Sequence, residues 1–271
     1  MSLPVPTSLS PSKVASFKDC ALAFRFSAMD RLPQPPSPWT SKGTLVHRAL
    51  ERLFGQVPEG RRTVESALAQ LDGAWAELRS DPEFAGLELD AAAEEEFLAD
   101  AAGLVENYFQ LEEPNQVNAI GLELQLEAQL GTLRLRGIID RLDLAPDGAL
   151  VVTDYKTGKA PGTGYEGPRL GGVQFYAFLC ERVLGRRPDR VQLLHLRDPV
   201  AIVSVPTPQS VRALEVRTAA VWTAVERACL NEDFRPRPSR LCGHCAFQAL
   251  CPAFGGDPGL ALQQLPPVAA G

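Results

Sequence analysis

Asp140, Asp154 and Lys156 are the residues of this chain whose types and spacing could do chemistry. They lie in the stretch GIIDRLDLAPDGALVVTDYKTGK, Gly137 to Lys159. Charged side chains are seldom fully buried unless they are paired or bind metal. Two carboxylates, with a lysine two residues after the second, are therefore poor core material. Asp154 and Lys156 stand at i, i+2, so in a strand they point to one face. Such a set suits a divalent-metal phosphodiesterase. Hard cations such as Mg²⁺ take carboxylate and carbonyl oxygens, and they polarise a phosphoryl oxygen and acidify the attacking water. A lysine ammonium beside them orients that water or stabilises charge developing at phosphorus. A surface hairpin with a salt bridge fits the same spacing.

Two strands must position these groups. Arg134 to Leu144 alternates apolar and polar side chains, Pro146, Asp147 and Gly148 supply turn chemistry, and Ala149 to Val152 form an apolar run. Upstream, Ser10-Pro11 starts a helix running to about Met29 and containing Cys20. GTLVHRALERLFG, Gly43 to Gly55, has a helical period and puts His47 and Glu51 on one face. Thr63 to Leu78 and Asp90 to Gln110 read as amphipathic helices, and Val117 to Gln129 as a strand containing Glu123. Downstream come a loop over Ala160 to Gly172 and a helix over Val173 to Leu184. A hairpin of Val191 to Leu196 with Ala201 to Val205, a long helix from Gln209 to Asn231 and a flexible tail over Pro266 to Gly271 follow. His195 reads as structural, and Trp222 and Cys180 as core.

The strings GIIDRLD and DYKTGK resemble the core of the PD-(D/E)XK nuclease superfamily. Within it they are similar to the RecB-type exonuclease branch, which includes the nuclease domain of RecB and the CRISPR-adaptation nucleases. The pattern Gly-x-x-x-His-x-x-Leu-Glu at Gly43 to Glu51 resembles the first motif of that branch. The resemblance implies that His47, Asp140, Asp154 and the main-chain carbonyl of Tyr155 bind Mg²⁺ or Mn²⁺, and that Lys156 is catalytic with Asp154 and Asp140. It also implies a substrate-contacting helix with a Gln-x-x-x-Tyr motif. Gln174 fits the first position, but Phe178 stands at the second and Tyr176 lies only two residues on. Gln174, Tyr176, Arg141 and Glu123 are the expected substrate-contacting residues.

CGHCAFQALCP, with Cys242, Cys245 and Cys251, is a metal-binding pattern that lacks a fourth ligand. His244 could complete a Zn²⁺ site, or a distant cysteine could complete an iron–sulfur site. Members of the RecB-type branch bind [4Fe–4S] through one N-terminal and three C-terminal cysteines, and Cys20, Cys242, Cys245 and Cys251 resemble that set.

The chain has 271 residues and a net charge of −6, which argues against coating duplex DNA by bulk electrostatics. Arg61, Arg62, Arg186, Arg187, Arg190, Arg235, Arg237 and Arg240 are candidate phosphate contacts. The start lacks a basic signal-peptide region and no segment reaches the roughly 18 apolar residues of a membrane helix. A cytoplasmic location without membrane contact is expected. The expected fold is α/β, a PD-(D/E)XK restriction-endonuclease-like core whose central mixed sheet is flanked by helices. One nuclease domain spans residues 1–255, with a helical insertion at about 60–112, a cysteine module at 240–253 joined to Cys20, and a tail over 256–271. The expected activity is metal-dependent hydrolysis of DNA, exonucleolytic on single strands with free ends, in repair, recombination or defence. Alternatives are a CRISPR spacer-processing nuclease, a non-catalytic DNA-binding or assembly protein, and a zinc-ribbon interaction module. No GxxxxGK[ST] string is present, so ATP-driven unwinding would need a helicase partner.

Overall fold

A computed structural model describes residues 3–162 and 170–264 of the chain. The helices, in order, are α1 (Pro11–Asp19), α2 (Ala21–Phe24), α3 (Pro38–Gln56), α4 (Val64–Leu78), α5 (Pro82–Ala85), α6 (Ala91–Tyr108), α7 (Leu170–Val183) and α8 (Pro208–Asn231). The strands are β1 (Ala119–Leu130), β2 (Leu133–Leu144), β3 (Leu150–Lys156), β4 (Arg190–His195) and β5 (Val200–Ser204). Among the described residues no helix is long and apolar enough to cross a membrane. The chain divides into two compact units. One holds Met1–Pro35, Ala128–Arg136 and Arg212–Gly271; the other holds Pro36–Glu127 and Gly137–Val211.

The second unit carries most of a five-stranded mixed sheet of order β1-β2-β3-β4-β5. β2 pairs antiparallel with β3, β3 parallel with β4, and β4 antiparallel with β5. The parallel pair needs a crossover, and α7 supplies it. Local chemistry starts the helices where the sequence places them. Thr63 and Ser66 form a reciprocal capping box at α4, and Asp90 accepts the Ala93 N–H at α6. The helical period of α3 buries Leu45, Val46, Ala49, Leu50 and Leu53 in one core with Leu71 of α4 and Phe97, Leu104 and Tyr108 of α6. Gly137 sits where an added Cβ would lie 2.8 Å from Leu179 Cδ1 and 3.4 Å from Tyr176 Cε1. The missing side chain lets α7 come close to β2.

In the first unit the expected single helix from Ser10 to Met29 is broken. Ser10 caps α1 as expected. Cys20 then adopts an extended conformation (φ −160°, ψ 111°), and after α2 the backbone over Arg25–Met29 is π-helical. No Gly or Pro marks the break, and the apolar spacing runs through it. Leu9 bridges β2 at Leu135 through two backbone hydrogen bonds of 2.9 Å. Phe26 packs edge-on against Phe247, with ring centroids 5.5 Å apart. Pro258–Gln264, within the expected tail, forms 3-10 turns with Ala261 buried. Pro266–Gly271 and residues 163–169 of the expected loop lie outside the described residues.

Candidate active site

The site of the second unit is built on three strands and two helices. Arg141 pairs with Thr153 across β2 and β3, and Asp140 and Asp154 stand one residue further on, on the opposite face. Asp140 is 9% exposed and Asp154 3%. The Tyr155 backbone N–H donates to Asp140 Oδ2 at 2.7 Å, which fixes that carboxylate. α3 brings His47 in from above; Gly43, one turn earlier, permits the approach, since a Cβ there would lie 3.3 Å from Thr157 Oγ1. His47 Nε2 lies 3.1 Å from the Tyr155 carbonyl oxygen and Nδ1 lies 3.4 Å from Asp140 Oδ2. Lys156 pairs with Asp154 while its side chain remains 42% exposed. From α7, the Tyr176 hydroxyl donates to Asp154 Oδ1 at 3.1 Å. Gln174, on the same helix, is half-buried.

Glu123 of β1 joins them. His47, Glu123 and Asp140 each offer a ligand atom within 4.8 Å of the others, and they form the one such group among the described residues. Glu123 has φ +44°, a left-handed conformation inside a strand. Non-glycine residues held there cluster at functional sites.

Charge is unbalanced here. Burial, with help from the Asp140 charge, pushes the Glu123 carboxyl up to about 7. Burial likewise raises Asp154; Lys156 opposes the shift and Asp140 adds to it. For His47, burial disfavours the cation, but the hydrogen bond and charge of Asp140 and the charge of Asp154 outweigh it and raise the pKa. Crowded acids that resist ionising are short of counter-charge, and a divalent cation inverts that situation. An imidazole with carboxylate and carbonyl oxygens suits Mg²⁺ or Mn²⁺. His47, Glu123 and Asp140 could hold one.

Arg141 does not face this site. It is fully buried, because successive strand residues point to opposite faces and Asp140 takes the site face. Its guanidinium donates to Asp143 (2.8 and 3.0 Å), Tyr155 Oη (2.6 Å), Glu112 (2.7 Å), Tyr108 Oη (3.2 Å) and Thr153 Oγ1 (3.3 Å). The expected substrate contact is thus a structural clamp on the Tyr155 side chain. Other expected phosphate contacts are also engaged. Arg62 donates to three backbone carbonyls, Arg186 to Gly148 O and Asp189, Arg235 to Asp233, and Arg237 to Lys18 O.

In the first unit, Cys20, Cys242, Cys245 and Cys251 are free and half-buried. With His244 they line one cavity of about 460 Å³. Among the described residues, however, no three thiols come within 4.8 Å of one another. A tetrahedral ion with Zn–S bonds of about 2.3 Å would draw them to roughly 3.8 Å apart, so the expected compact ligand set is not present. Two backbone N–H groups point at sulfur, Arg237 N at Cys20 Sγ (3.5 Å) and Ser239 N at Cys242 Sγ (3.3 Å). Cys180 and Cys229 are buried elsewhere, and burial pushes the Cys180 thiol up to about 12.

A solved protein from Eubacterium rectale, named "putative exonuclease", is 14% identical, with a TM-score of 0.51 over 89% of this chain and 87% of its own. The crystal structure of SSO0001 is 12% identical, with a TM-score of 0.43 over 93% of this chain and 88% of its own. No curated protein matches the chain. Residues 8–252 match the PD-(D/E)XK nuclease superfamily. With that match over nine-tenths of its length, and with acids, histidine and lysine gathered on β1–β3 and α3, the chain belongs to the PD-(D/E)XK nuclease superfamily, whose nucleases use divalent metal ions.

Proposed function

We propose that this protein hydrolyses DNA phosphodiester bonds with Mg²⁺ or Mn²⁺, acting exonucleolytically on single strands, as a RecB-type member of its superfamily. The observation that carries the reading is the group of His47, Glu123 and Asp140, with the Asp154–Lys156 pair beside it. The neighbour from Eubacterium rectale bears an exonuclease name, which supports the same reading. His47, Asp140, Asp154 and the Tyr155 carbonyl are the proposed ligands, with Glu123 as a further one. When bound, the ion polarises the phosphoryl oxygen and lowers the pKa of water. Lys156, partly open to solvent, orients the water and stabilises the charge that grows on the phosphoryl oxygens. Tyr176 and the Tyr155 N–H hold the two aspartates in place, and Gln174 lies on the helix that faces substrate. Repair, recombination or defence in the cytoplasm are the settings this chemistry serves, with a helicase supplying any unwinding. An assay with Mg²⁺ or Mn²⁺ on end-labelled single and double strands tests the proposal. Mononucleotide release from single strands is expected; rapid cutting of a closed single-stranded circle would contradict the exonuclease assignment.

For the cysteines, we propose a [4Fe–4S] cluster held by Cys20, Cys242, Cys245 and Cys251. Their shared cavity supports this, as do two N–H groups aimed at sulfur, since hydrogen bonds to sulfur are part of such sites. Anaerobically purified protein should then be brown. Cys20→Ser should bleach it as fully as Cys245→Ser, while Cys180→Ser leaves the colour intact. A colourless protein with one zinc that depends on His244 would replace the cluster with the zinc alternative.

A further inference from the structure

Trp39 lies in the first turn of α3 and is 65% exposed. It is the most exposed aromatic side chain among the described residues. Two cations lie over its ring: Lys42 Nζ at 5.3 Å and Arg197 Cζ at 5.2 Å from the centroid. Lys42 is itself fixed by an ion pair with Asp100. A cation over an indole is favourable, and the two contacts hold the exposed ring in place.

Its position relates it to the carboxylate site of the same unit. Arg197 belongs to the turn after β4, and Leu196, its neighbour, donates its N–H to the Lys156 carbonyl at 2.8 Å. α3 touches Thr157 at Gly43, one turn after Trp39 and one turn before His47. The indole therefore stands at the carboxyl-terminal ends of the parallel strands β3 and β4, on the side where Lys156 leaves the sheet. In open α/β sheets that edge is where ligands bind.

We infer that Trp39 and Arg197 form a stacking platform for an unpaired base of the DNA strand whose phosphate occupies the carboxylate site. An aromatic face with an arginine beside it is how sequence-tolerant sites hold single strands. The inference rests on the nuclease reading for the identity of the ligand. A duplex keeps its bases stacked on each other, so the platform selects single strands.

Binding of fluorescein-labelled dT12, followed by anisotropy in EDTA so that nothing is cut, tests this. Trp39→Ala should weaken binding about tenfold, and Trp39→Phe should recover most of the loss. Trp39→Ala should leave the salt dependence of log K unchanged, because the indole neutralises no phosphate. A blunt duplex should bind Trp39→Ala and wild type alike. Equal affinity of Trp39→Ala and wild type for dT12 overturns the platform, even if the protein cleaves DNA. Trp39-dependent binding by a protein that cleaves nothing overturns the nuclease reading and leaves the platform standing.

Discussion

β2 and β3 carry two sets of buried charge on opposite faces, and they are treated differently. On one face, Arg141 meets Asp143, Glu112, Thr153, Tyr108 and Tyr155, and Gln192 adds donors to Glu112 (2.6 Å) and Thr153 (2.9 Å). Every hydrogen-bonding edge of that guanidinium has a protein partner, so the network needs nothing from outside. On the other face, Asp140 and Asp154 share their neighbourhood with Glu123, and the nearest ammonium, that of Lys156, is partly in solvent. Charge removed from water needs a partner. Where the chain supplies the partner, the charges are structural. Where it does not, the acids lack a protein counter-charge and wait for a cation.

The largest expected difference between the faces is in activity. Asp154→Ala and Lys156→Ala should each lower cleavage by about 100-fold or more. The urea midpoint in EDTA should fall far less than it does for an Arg141 substitution, since Lys156 is partly in solvent. Asp154→Asn should raise it, because a buried charge disappears while its place in the fold is kept. A loss of stability equal to that from an Arg141 substitution would erase the distinction between the faces.

Next comes the structural face. Arg141→Met leaves Asp143 and Glu112 without their cation, and breaking a buried pair in this way costs about 3–5 kcal/mol. Chemical denaturation should show it directly. Arg141→Lys should recover part of that loss, since an ammonium lacks the planar fork that reaches several acceptors at once. An Arg141→Met protein as stable as wild type, but deficient in binding single strands, would restore Arg141 as a substrate contact.

Much of this was legible in the sequence where the cause is local. The caps at Thr63 and Asp90 begin α4 and α6 where expected, and the turn residues Pro146 to Gly148 separate β2 from β3. The Asp154–Lys156 pair follows from the period of a strand. What escaped depends on chain segments far apart. Arg141 is expected as a substrate contact although strand alternation turns it away from Asp140, and nothing local announces that Glu112 and Tyr108 wait on that face. The break at Cys20 has no Gly or Pro to announce it. Trp39 is an unremarkable letter until Arg197, 158 positions later in the chain, is seen over its ring. The left-handed backbone at Glu123 has no signature in a run such as GLELQL.

The smallest effect, and the one that sharpens the contrast most, is in the pH dependence of stability. In the metal-free protein Glu123 is held at about 7, against about 4.3 for a free glutamate. Between those values the folded state binds more protons than the unfolded one, so stability falls as pH rises through that window. The raised values of His47 and Asp154 act in the same direction. Because Glu123 is partly in solvent, screening reduces its share to about 1 kcal/mol, or a few degrees in Tm. In EDTA, the protein should thus melt lower at pH 8 than at pH 5, and Glu123→Gln should flatten part of that slope. Mg²⁺ should reverse it: ligands must lose protons to bind metal, so the rise in Tm on adding Mg²⁺ should grow with pH. An Mg²⁺-induced rise that is the same at pH 5.5 and pH 8 would mean that these acids do not give up protons to bind the ion, and the contrast with the closed network around Arg141 would fail.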